Sequence, residues 1–372
     1  MRDPWEQAEL AQRFRESAEA SRSRAPLNAA LAEVVAADAS LTGLLHHAPP
    51  DQRLPVLLFA ALHDLVLDGL AAELRPWYRT VTPDHRSPDD RDALRAALRT
   101  TVHEYGPRIA EAVATRQTQT NEIGRCALFL AGLGVIDAGG SDRRPIAHVD
   151  VGASAGLNLS LPRLRYRYDD DAVVEDTSRR PSTASPLVEC STRGDGPVPR
   201  SIPDVVTSVG IDRSPLDVRD ADDARWLRAC CWPDQVDRFE RLDAALAMAV
   251  DDPPTIVEGD AVDTVESVVE SVGTVGSVVT DVVPVVTTSW VLNYLPGERR
   301  AAFVETLDRI GRSRDLAWVF AEAPTMTREL PHAPDQLADF TTALTTVTWN
   351  DGERAVRHLG LCHPHGYWIH WR

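Results

Sequence analysis

Two hydrophobic periodicities divide the chain. Before about Arg144, apolar residues recur three and four positions apart, the spacing that places side chains on one face of a helix. The clearest examples are Leu27, Ala30, Leu31, Val34 and Val35, followed by Leu54, Leu57, Leu58, Ala61, Leu62, Leu65 and Val66. No strand-like alternation occurs in this part, so residues 1–143 are predicted to form an all-helical region.

Short apolar runs alternate with helical patterns in the rest of the chain. Runs typical of buried strands occupy residues 145–151, 205–211, 255–257, 282–287 and 316–320. Helical patterns occupy residues 221–231, 233–250 and 296–310. Because strands that alternate with helices form right-handed crossovers, this order predicts a parallel sheet. The predicted fold class is therefore α/β, with a Rossmann-like, doubly wound sheet.

The end of the chain predicts antiparallel strands. Residues 342–348, 355–361 and 367–371 alternate like strands, and Asn350-Asp351-Gly352 between the first two is typical of a hairpin turn. The sheet is thus predicted to be mostly parallel, with an antiparallel C-terminal edge.

Residues 163–204 fit neither pattern. They are rich in Asp, Arg, Pro and Ser, and we interpret them as an insertion between the first two strands. The predicted domains are residues 1–143 and residues 144–372, the second containing this insertion.

Composition narrows the possible partners. The formal net charge is −17, which repels nucleic acid phosphates, so no nucleic acid partner is expected. The chain has no lysine, so all 39 basic residues are arginine. An acidic, lysine-free surface stays hydrated when salt screens charge, and we interpret it as halophilic adaptation to a salty cytoplasm. A GC-rich genome would favour arginine codons, but it would not by itself explain the acidity.

The cellular location is predicted from what the sequence lacks. The five cysteines include no Cys-x-x-Cys pair, which is typical of reduced intracellular thiols. The first 20 residues do not resemble a signal peptide, and no apolar run approaches the length of a membrane span. We expect a soluble, cytoplasmic protein with a small-molecule substrate and no membrane partner. Cys362-His363-Pro364-His365 has no partner cluster, so no metal is expected.

The sharpest chemical signal is the segment His148-Val-Asp150-Val-Gly152-Ala-Ser154-Ala-Gly156-Leu-Asn158. It places two glycines between the end of a predicted strand and the predicted start of a helix. Small side chains let the backbone approach a ligand closely, and a helix start offers N–H groups to an anionic or polar group. The Gly-x-x-x-Gly spacing differs from the Gly-x-Gly-x-x-Gly of dinucleotide folds, which argues against a nicotinamide or flavin dinucleotide.

The same segment also fits a nucleophile elbow. Gly152-Ala-Ser154-Ala-Gly156 matches the Gly-x-Ser-x-Gly motif of α/β-hydrolases, with Asp281 and either His363 or His365 in the chain order of a triad. An elbow normally follows several strands, whereas this one follows the first. A hydrolase that uses Ser154 is therefore the least favoured alternative.

Acidic residues end three successive predicted strands. They are Asp150, Asp212 and Asp260. A carboxylate at the position of Asp212 can accept hydrogen bonds from both ribose hydroxyls, and Asp260 is a candidate partner for an adenine amino group. For any one of these acids taken alone, a solvated loop residue or a helix cap is the favoured interpretation. Three of them in order favour a nucleoside site.

These segments, with Thr288-Ser-Trp-Val-Leu-Asn293-Tyr294-Leu-Pro296, resemble the ligand loops of class I S-adenosylmethionine-dependent methyltransferases. The resemblance implies S-adenosylmethionine as the cofactor. The methionine portion would then contact the first loop, at Asp150, Gly152, Ser154, Gly156 and Asn158. The resemblance also implies that Asp212 binds the ribose and that Asp260 and Ala261 bind the adenine. Asn293 and Tyr294 would lie beside the methyl group.

Over nearly its whole length, the chain more closely resembles an uncharacterised bacterial and archaeal family, the domain of unknown function 2332 family. The segments that carry this resemblance are Arg116-Gln-Thr-Gln-Thr-Asn121-Glu122-Ile-Gly-Arg125, Val151-Gly-Ala-Ser-Ala-Gly-Leu-Asn158, Asp212-x-x-Pro215-x-Asp217 and Arg225-Trp-Leu-Arg-Ala-Cys230-x-Trp232-Pro233. This resemblance implies no established activity.

Polar residues also concentrate between Arg116 and Arg125, just before an apolar helical pattern. A helix cap at Thr120 and a first-turn role for Glu122 would explain only part of this cluster. We interpret Asn121, Glu122 and Arg125 as ligand-facing, with Asn121 or Glu122 near the sulfonium or a substrate, and Arg125 near a substrate acid. Together with Asn293 and Tyr294, they are the predicted catalytic residues, in positioning roles.

The leading interpretation is a methyltransferase that acts on an unidentified small molecule, with the helical N-terminal region as a cap over the cofactor cleft. Methyl transfer mainly requires alignment of nucleophile, methyl group and sulfur, and it needs a base only if the acceptor is protonated. The alternative from a different class is a non-catalytic protein that binds S-adenosylmethionine or another nucleotide.

Overall fold

Contacts divide the chain into two compact units. The computed structural model describes residues 4–138, 144–176, 185–272, 282–331 and 342–372. One unit, here called the helical unit, comprises Met1–Thr120 and Arg219–Asp243. The other, here called the sheet unit, comprises Asn121–Val218 and Ala244–Arg372. The predicted division of the sequence at residue 143 stays a prediction.

Helices dominate the first part of the chain. The α-helices of the described residues are α1 (Pro4–Ser21), α2 (Pro26–Ala36), α3 (Ala39–Thr42), α4 (Pro55–Leu67), α5 (Arg91–Thr115), α6 (Arg125–Ala138), α7 (Ala221–Ala229), α8 (Val236–Asp251), α9 (Ala261–Val272) and α10 (Gly297–Ser313). No strand occurs in residues 4–138, which confirms that this part is helical. The role of this part as a cap stays a prediction.

Local sequence sets where several helices begin. Pro26 and Pro55 open α2 and α4, where the N–H that proline lacks would have no partner inside the helix. The side chain of Asp90 caps α5 by accepting a hydrogen bond of 3.1 Å from the N–H of Ala93. Asp220 caps α7 in the same way.

A buried histidine links two helices of the helical unit. His63 of α4 donates from Nδ1 to the carbonyl oxygens of Ala229 and Cys231, each at 3.1 Å, and its Nε2 accepts from the hydroxyl of Thr80 at 2.9 Å. Burial lowers the pKa of His63 to about 4, so the ring is neutral at physiological pH. Both nitrogens of the neutral ring have hydrogen-bond partners, which explains why the ring can be buried among the apolar residues of α4.

No single helix of the described residues is both long and apolar enough to cross a membrane. The residues Pro26–Ala36 and Ala39–His47 reach the required length and composition only as a pair, and this pair is bent by 104°.

All strands belong to one ten-stranded sheet of the described residues. They are β1 (Ile146–Val151), β2 (Arg165–Tyr168), β3 (Leu187–Arg193), β4 (Val205–Asp212), β5 (Ile256–Glu258), β6 (Val283–Ser289), β7 (Leu316–Glu322), β8 (Thr342–Asn350), β9 (Glu353–Cys362) and β10 (Trp368–Trp371). Their order across the sheet is β2-β3-β10-β9-β8-β7-β6-β1-β4-β5. The five adjacent strands β5, β4, β1, β6 and β7 are parallel to one another, whereas β8 and β9 are antiparallel to their neighbours. The prediction of an α/β fold with a mostly parallel sheet is confirmed.

The antiparallel pairings are confirmed, but their expected position at the edge of the sheet is wrong. β10 pairs with β9 on one side and, in parallel, with β3 on the other, while β2 forms the edge. Both β2 and β3 come from residues 163–204, which we interpreted as an insertion. In β2, Tyr166 and Tyr168 are buried and alternate with arginines. Because β2 has only four residues and lies in a polar segment, the sequence alone does not show that it alternates like a strand.

The hairpin between β8 and β9 follows the sequence signal closely. Asn350 pairs with Glu353, and the two residues between them have positive φ, +52° at Asp351 and +81° at Gly352. Two left-handed residues match the twist of an antiparallel pair, so the predicted two-residue turn is confirmed.

Helices cover both faces of the sheet around β1. Val149 of β1 and Trp318 of β7 belong to an apolar core that includes the buried faces of α9 and α10. Successive strand residues point to opposite faces, so Val319 lies on the other face, where Gly132 of α6 packs against its side chain. His148 and Asp150 therefore lie on the α6 face of the sheet, which positions the site described next.

Candidate ligand site at the carboxyl ends of the strands

Asp150 lies behind the glycine turn and is almost completely buried. Its Oδ1 accepts a hydrogen bond of 2.7 Å from the hydroxyl of Thr287, and its Oδ2 accepts one of 3.4 Å from the side-chain amide of Asn158. Burial raises the pKa of Asp150 to about 6, although these two hydrogen bonds oppose the shift. Both oxygens therefore bond to the protein, and Asp150 and Asn158 shape the turn from within.

His148 extends this buried network. Its Nε2 lies 2.9 Å from the Thr287 hydroxyl, whose single proton is already donated to Asp150 when that carboxyl is ionised. His148 therefore donates from Nε2, and its Nδ1 is an acceptor for which the described residues supply no donor. Burial lowers the pKa of His148 to about 4, so the ring is neutral.

The turn after β1 contains three residues in the left-handed region. The φ angles are +76° at Gly152, +56° at Ser154 and +73° at Gly156. A Cβ at Gly152 would lie 2.4 Å from the Val291 side chain, and one at Gly156 would lie 2.7 Å from Pro254. Both glycines are therefore required by the protein's own packing as well as by their φ angles. We expected the backbone at these two glycines to approach a ligand closely. It instead packs closely against the side chains of Val291 and Pro254.

The expected helix start after the turn is also different. Residues Leu157–Arg163 form a 3-10 helix that contains Pro162, and no α-helix follows the turn directly. The N–H of Leu157 donates to the side-chain oxygen of Asn121 at 2.9 Å. The expected α-helix start is therefore wrong, and the first N–H of the 3-10 helix already has a partner within the protein. The predicted contact of further N–H groups with a polar or anionic group stays a prediction.

The carboxylate of Asp212, at the end of β4, is bonded to the glycine turn. Its Oδ2 accepts from the N–H of Ser154 at 2.7 Å, and its Oδ1 accepts from the N–H of Ser214 at 2.9 Å. The carbonyl of Ser154 accepts in turn from the N–H of Leu216 at 3.2 Å. The loops that follow β1 and β4 therefore lie side by side, as a shared ligand site requires.

Asp260 is engaged in a different way. It caps α9 by accepting from the N–H of Val262 at 2.9 Å, and it forms an ion pair with Arg299 of α10. Burial would raise the pKa of Asp260, but the Val262 N–H and the Arg299 guanidinium outweigh it and hold the pKa below its usual value. Ala261, the first residue of α9, is buried. The carboxylate of Asp260 thus has protein partners that compete with the predicted adenine contact.

The three predicted residues of the 116–125 cluster that belong to the sheet unit are all buried. Asn121 bonds to the turn through Leu157 and leaves its Nδ2 without a hydrogen-bond partner among the described residues. Glu122 accepts from the N–H of Gly124 at 3.0 Å, and its Oε2 lies 3.7 Å from the His365 ring.

Arg125 connects this segment with β6. It donates to the carbonyl oxygens of Pro364 at 2.9 Å and Ser289 at 3.1 Å. Arg125 therefore holds the end of β6 in place, in addition to supplying positive charge beside the buried carboxylates. Asn293 and Tyr294, by contrast, are exposed in a 3-10 helix after β6, and Tyr294 is 68% exposed.

Glu322, at the end of β7, is a site residue that sequence reasoning missed. It is fully buried, and its Oε1 accepts from the N–H of Val291 at 3.0 Å. Burial raises the pKa of Glu322 to about 7, opposed by the Val291 N–H, the Thr288 hydroxyl and the charge of Arg125. The signal that identified Asp150 and Asp212, an acid at the end of an apolar run, also applies here. The predicted strand ends at Phe320, whereas β7 continues for two more residues, to Glu322.

Ser289 is the last residue of β6, where it pairs with Ala321 of β7, and Trp290 follows it. Trp290 has a φ of +59°, an uncommon conformation for a bulky residue, and its N–H donates to the carbonyl of Ala321 at 3.3 Å. Its side-chain Nε1 and the hydroxyl of Ser289 are buried without a hydrogen-bond partner among the described residues.

Unpartnered buried polar atoms are concentrated in this part of the sheet unit. Folded proteins leave few such atoms, so a cluster of them is a candidate binding surface for a polar group. Those that surround the carboxyl ends of β1, β6 and β7 are Asn121 Nδ2, His148 Nδ1, Ser154 Oγ, Ser289 Oγ, Trp290 Nε1 and Glu322 Oε2. A polar ligand at this position would provide hydrogen-bond partners for these atoms.

The described residues do not form the catalytic triad that the hydrolase alternative requires. The hydroxyl of Ser154 has no hydrogen-bond partner in the described part of the chain, whereas an activated serine needs a base within hydrogen-bond reach. His363 and His365 instead pack against each other and against Tyr367. Asp281 lies outside the described residues. The described ranges also contain no group of three or more potential metal ligands.

The comparison with protein families covers almost the entire chain. Residues 11–371 match the family described as "Uncharacterized protein conserved in bacteria (DUF2332)". The chain belongs to this family. No curated protein matches the sequence.

The segments that pointed to the DUF2332 family lie in both units. Residues 121–125, 151–158 and 212–217 build the site in the sheet unit. Residues 116–120 and 225–233 belong to the helical unit, where Arg116 forms an ion pair with Asp223 and the indole N–H of Trp226 donates to the carbonyl of Gln117 at 2.8 Å. The polar cluster 116–125 is therefore divided, and its first half has partners within the helical unit.

Proposed function

We propose that this chain is a methyltransferase that binds S-adenosylmethionine beside the glycine turn and transfers its methyl group to a small molecule. The observation that carries the proposal is the hydrogen bond between Ser154 and Asp212, which brings the loops after β1 and β4 together. Unpartnered buried atoms of Asn121 and Ser154 lie at the same turn, and another, of Glu322, lies at the end of β7.

The strand order supports a Rossmann-like interpretation of the sheet unit. Taken in chain order, the parallel strands β1, β4, β5, β6 and β7 are arranged 3-2-1-4-5 across the sheet. In open sheets of this kind, ligands bind outside the carboxyl ends of the strands, where the strand order reverses. That point lies between β1 and β6, next to Ser154 and Ser289.

Asp212 fits the role of a ribose ligand. A carboxylate oxygen has two lone pairs, and each oxygen of Asp212 accepts one backbone N–H. One acceptor position on each oxygen remains for a pair of neighbouring hydroxyls, and Asp212 is partly exposed.

The methionine portion would be held by the turn itself. Ser154 Oγ and Asn121 Nδ2 are the unpartnered polar atoms that the turn and its neighbouring segment provide. The residues from Gly152 to Gly156 set the shape of this part, with Asp150 and Asn158 supporting it from within. The predicted adenine contacts of Asp260 and Ala261 have less support, because Arg299 and Val262 already engage the Asp260 carboxylate.

The charge of the site suits a positively charged ligand. When bound, S-adenosylmethionine supplies a methyl group from a cationic sulfonium and becomes a neutral thioether. Asp150, Glu122 and Glu322 lie around the strand ends, with Arg125 as the cation bonded among them. Carboxylates in a water-poor site attract a cation more strongly than they would in water.

Calorimetry with S-adenosylmethionine and S-adenosylhomocysteine tests this function. We would titrate the full chain in molar sodium chloride, because its net charge of −17 predicts that low salt destabilises it. Binding of both ligands, followed by transfer of an isotopically labelled methyl group to a defined set of amines, alcohols, thiols and carboxylic acids, is the expected result. A folded chain that binds neither ligand would contradict the proposal. Binding without transfer to any acceptor would favour the non-catalytic binding protein.

A further inference from the structure

A cavity of about 420 Å³ lies in the sheet unit, beside the last turns of α6. Its lining includes Ile146 and Leu316, the first residues of β1 and β7, so it lies at the amino ends of these strands. The candidate ligand site lies at their carboxyl ends, about 16 Å away along β1 at about 3.3 Å per residue. Pockets that bind small molecules have volumes of about 300–1,000 Å³. The cavity is therefore large enough to be a separate binding site.

The floor of this cavity is a row of side chains that crosses four strands. Strand pairing aligns them, across β6, β7, β8 and β9, in the order Val285, Ala317, Thr348 and Ala355. Val285 also pairs with His148, so the row lies on the α6 face of the sheet. Three strand spacings of about 4.8 Å make the row about 14 Å long. Because alanine and threonine are small, they leave an elongated space between the sheet and Leu133 and Ile136 of α6.

Arginine supplies the charge at this cavity. The described residues that line it include Arg144 and Arg357 but no aspartate or glutamate. Arg144 forms an ion pair of 2.7 Å with Asp315, whereas Arg357 has no ion pair within the described residues. Arg357 follows Ala355 by two positions in β9, so the two side chains start on the same face of the sheet. The row therefore ends beside an exposed guanidinium.

A ligand that complements this cavity has a narrow apolar chain and an anionic end. Val285, Ala317 and Ala355 offer apolar contacts, and a hydrocarbon chain gains free energy from the burial of each CH₂ group. A guanidinium presents parallel N–H groups that match the two oxygens of a carboxylate. A broad or strongly polar molecule would match neither the shape of the row nor its composition.

We propose that this cavity binds a linear aliphatic carboxylate. The carboxylate contacts Arg357, and the hydrocarbon chain lies along the row from Ala355 to Val285. The proposal concerns binding alone and includes no covalent step. It goes beyond the proposed methyltransferase function and does not depend on it, since the residues of the row lie away from the carboxyl ends of the strands.

Calorimetry of the full chain with octanoate, 1-octanol and acetate tests this site. Octanol has the chain without the charge, and acetate has the charge without the chain. Molar sodium chloride shortens the Debye length to about 3 Å, so it screens the long-range repulsion from the net charge of −17 more than a direct contact with Arg357. We expect saturable binding of a single octanoate, with octanol and acetate each binding about tenfold more weakly.

Substitutions at two exposed positions locate the bound octanoate. Arg357→Gln should weaken octanoate binding about fivefold and leave octanol binding unchanged, because only octanoate has a charge to lose a partner. Ala355→Leu fills part of the row, so it should weaken both ligands about fivefold. Arg312→Gln removes an exposed arginine of α10, which covers the opposite face of the sheet. This variant is the matched control and should bind octanoate like wild type.

Three results would overturn the proposal. Octanoate binding that neither Arg357→Gln nor Ala355→Leu weakens would place the ligand elsewhere. Equal affinities of wild type for octanoate and octanol would show that the cavity does not select a carboxylate. Failure of folded wild type to bind octanoate would show that the cavity is not a site for this class of ligand. Each result leaves the binding of S-adenosylmethionine to its own test.

Discussion

The Asp212 carboxylate accepts a hydrogen bond of 2.7 Å from the backbone N–H of Ser154. This bond joins the loop after β4 to the glycine turn after β1, although 58 residues separate the two in sequence. Ser154 makes this bond with a φ of +56°, in the left-handed region that costs a non-glycine residue roughly 1–2 kcal/mol. The site therefore depends on one strained residue and one strand-end acid.

Ser154 allows the cost of this conformation to be measured. Ser154→Ala and Ser154→Gly both remove the hydroxyl, but only glycine adopts a left-handed φ without a steric penalty. We expect the glycine variant to exceed the alanine variant by about 1 kcal/mol in free energy of unfolding, measured by urea denaturation. Equal stabilities would show that the left-handed conformation at Ser154 is wrong.

Ser154→Ala also tests the hydrolase alternative. Since Ser154 has no base within hydrogen-bond reach in the described residues, we expect wild type to resist a fluorophosphonate probe. Labelling of wild type that disappears in Ser154→Ala would instead restore the hydrolase interpretation.

Glu322 should make stability depend on pH in a defined direction. The folded chain retains a proton on Glu322 up to a pH of about 7, whereas the unfolded chain releases it near its usual value of 4.5. The free energy of unfolding therefore falls as pH rises through this window, and by pH 8 the loss amounts to about 3 kcal/mol. Glu322→Gln carries no such charge, so it should match wild type near pH 4.5 and exceed it by about 2–3 kcal/mol at pH 8.

Urea denaturation of both proteins at pH 5 and pH 8 measures this difference. His63 and His148, whose pKa values burial lowers to about 4, contribute an opposite trend below pH 6.5. Their contribution is common to wild type and variant, so it cancels in the comparison. A stability difference that does not change with pH would show that Glu322 is ionised in the folded chain throughout.

Asp260 and Asp263 form a matched pair for the adenine prediction. Both contact Arg299, but only Asp260 caps α9 and follows the end of β5. We expect Asp260→Ala to weaken S-adenosylhomocysteine binding about fivefold, equivalent to about 1 kcal/mol, and Asp263→Ala to leave it unchanged. Loss of the cap should also lower the free energy of unfolding by about 1 kcal/mol in Asp260→Ala alone. Equal affinities in the two variants would show that Asp260 does not contact the adenine and serves only as the helix cap and the partner of Arg299.

Sequence patterns predicted those parts of the fold in which local periodicity decides the structure. The strands at 145–151, 205–211 and 316–320 were found because each is an apolar run of ordinary length. The Asp351-Gly352 turn was found because it requires two left-handed residues. β2 was missed because it has four residues, half of them arginines, and β3 was missed because it ends in the polar residues Ser191, Thr192 and Arg193. Both strands gain their stability from tertiary pairing that the local sequence does not reveal.

The site was predicted in part, because strand ends are recognisable from the sequence but tertiary contacts are not. Asp150 and Asp212 were found from strand ends, but only the tertiary structure shows that Asp150 lies behind the turn while Asp212 bonds to it. Sequence spacing could not reveal that Val291 occupies the space beside Gly152, or that Arg299 engages Asp260. Glu322 was within reach of the strand-end signal, whereas the positive φ of Trp290 was not.

The most direct measurement is the affinity of S-adenosylhomocysteine for wild type, Asp212→Ala and Asp204→Ala, by calorimetry in molar salt. Asp204 is an exposed acid just before the opposite end of β4, so it controls for the loss of one negative charge. We expect Asp212→Ala to lose about 1–3 kcal/mol of binding free energy, a factor of about 5 to 150, and Asp204→Ala to bind like wild type. Equal binding by all three proteins, or no binding by folded wild type, would contradict the joined-loop site.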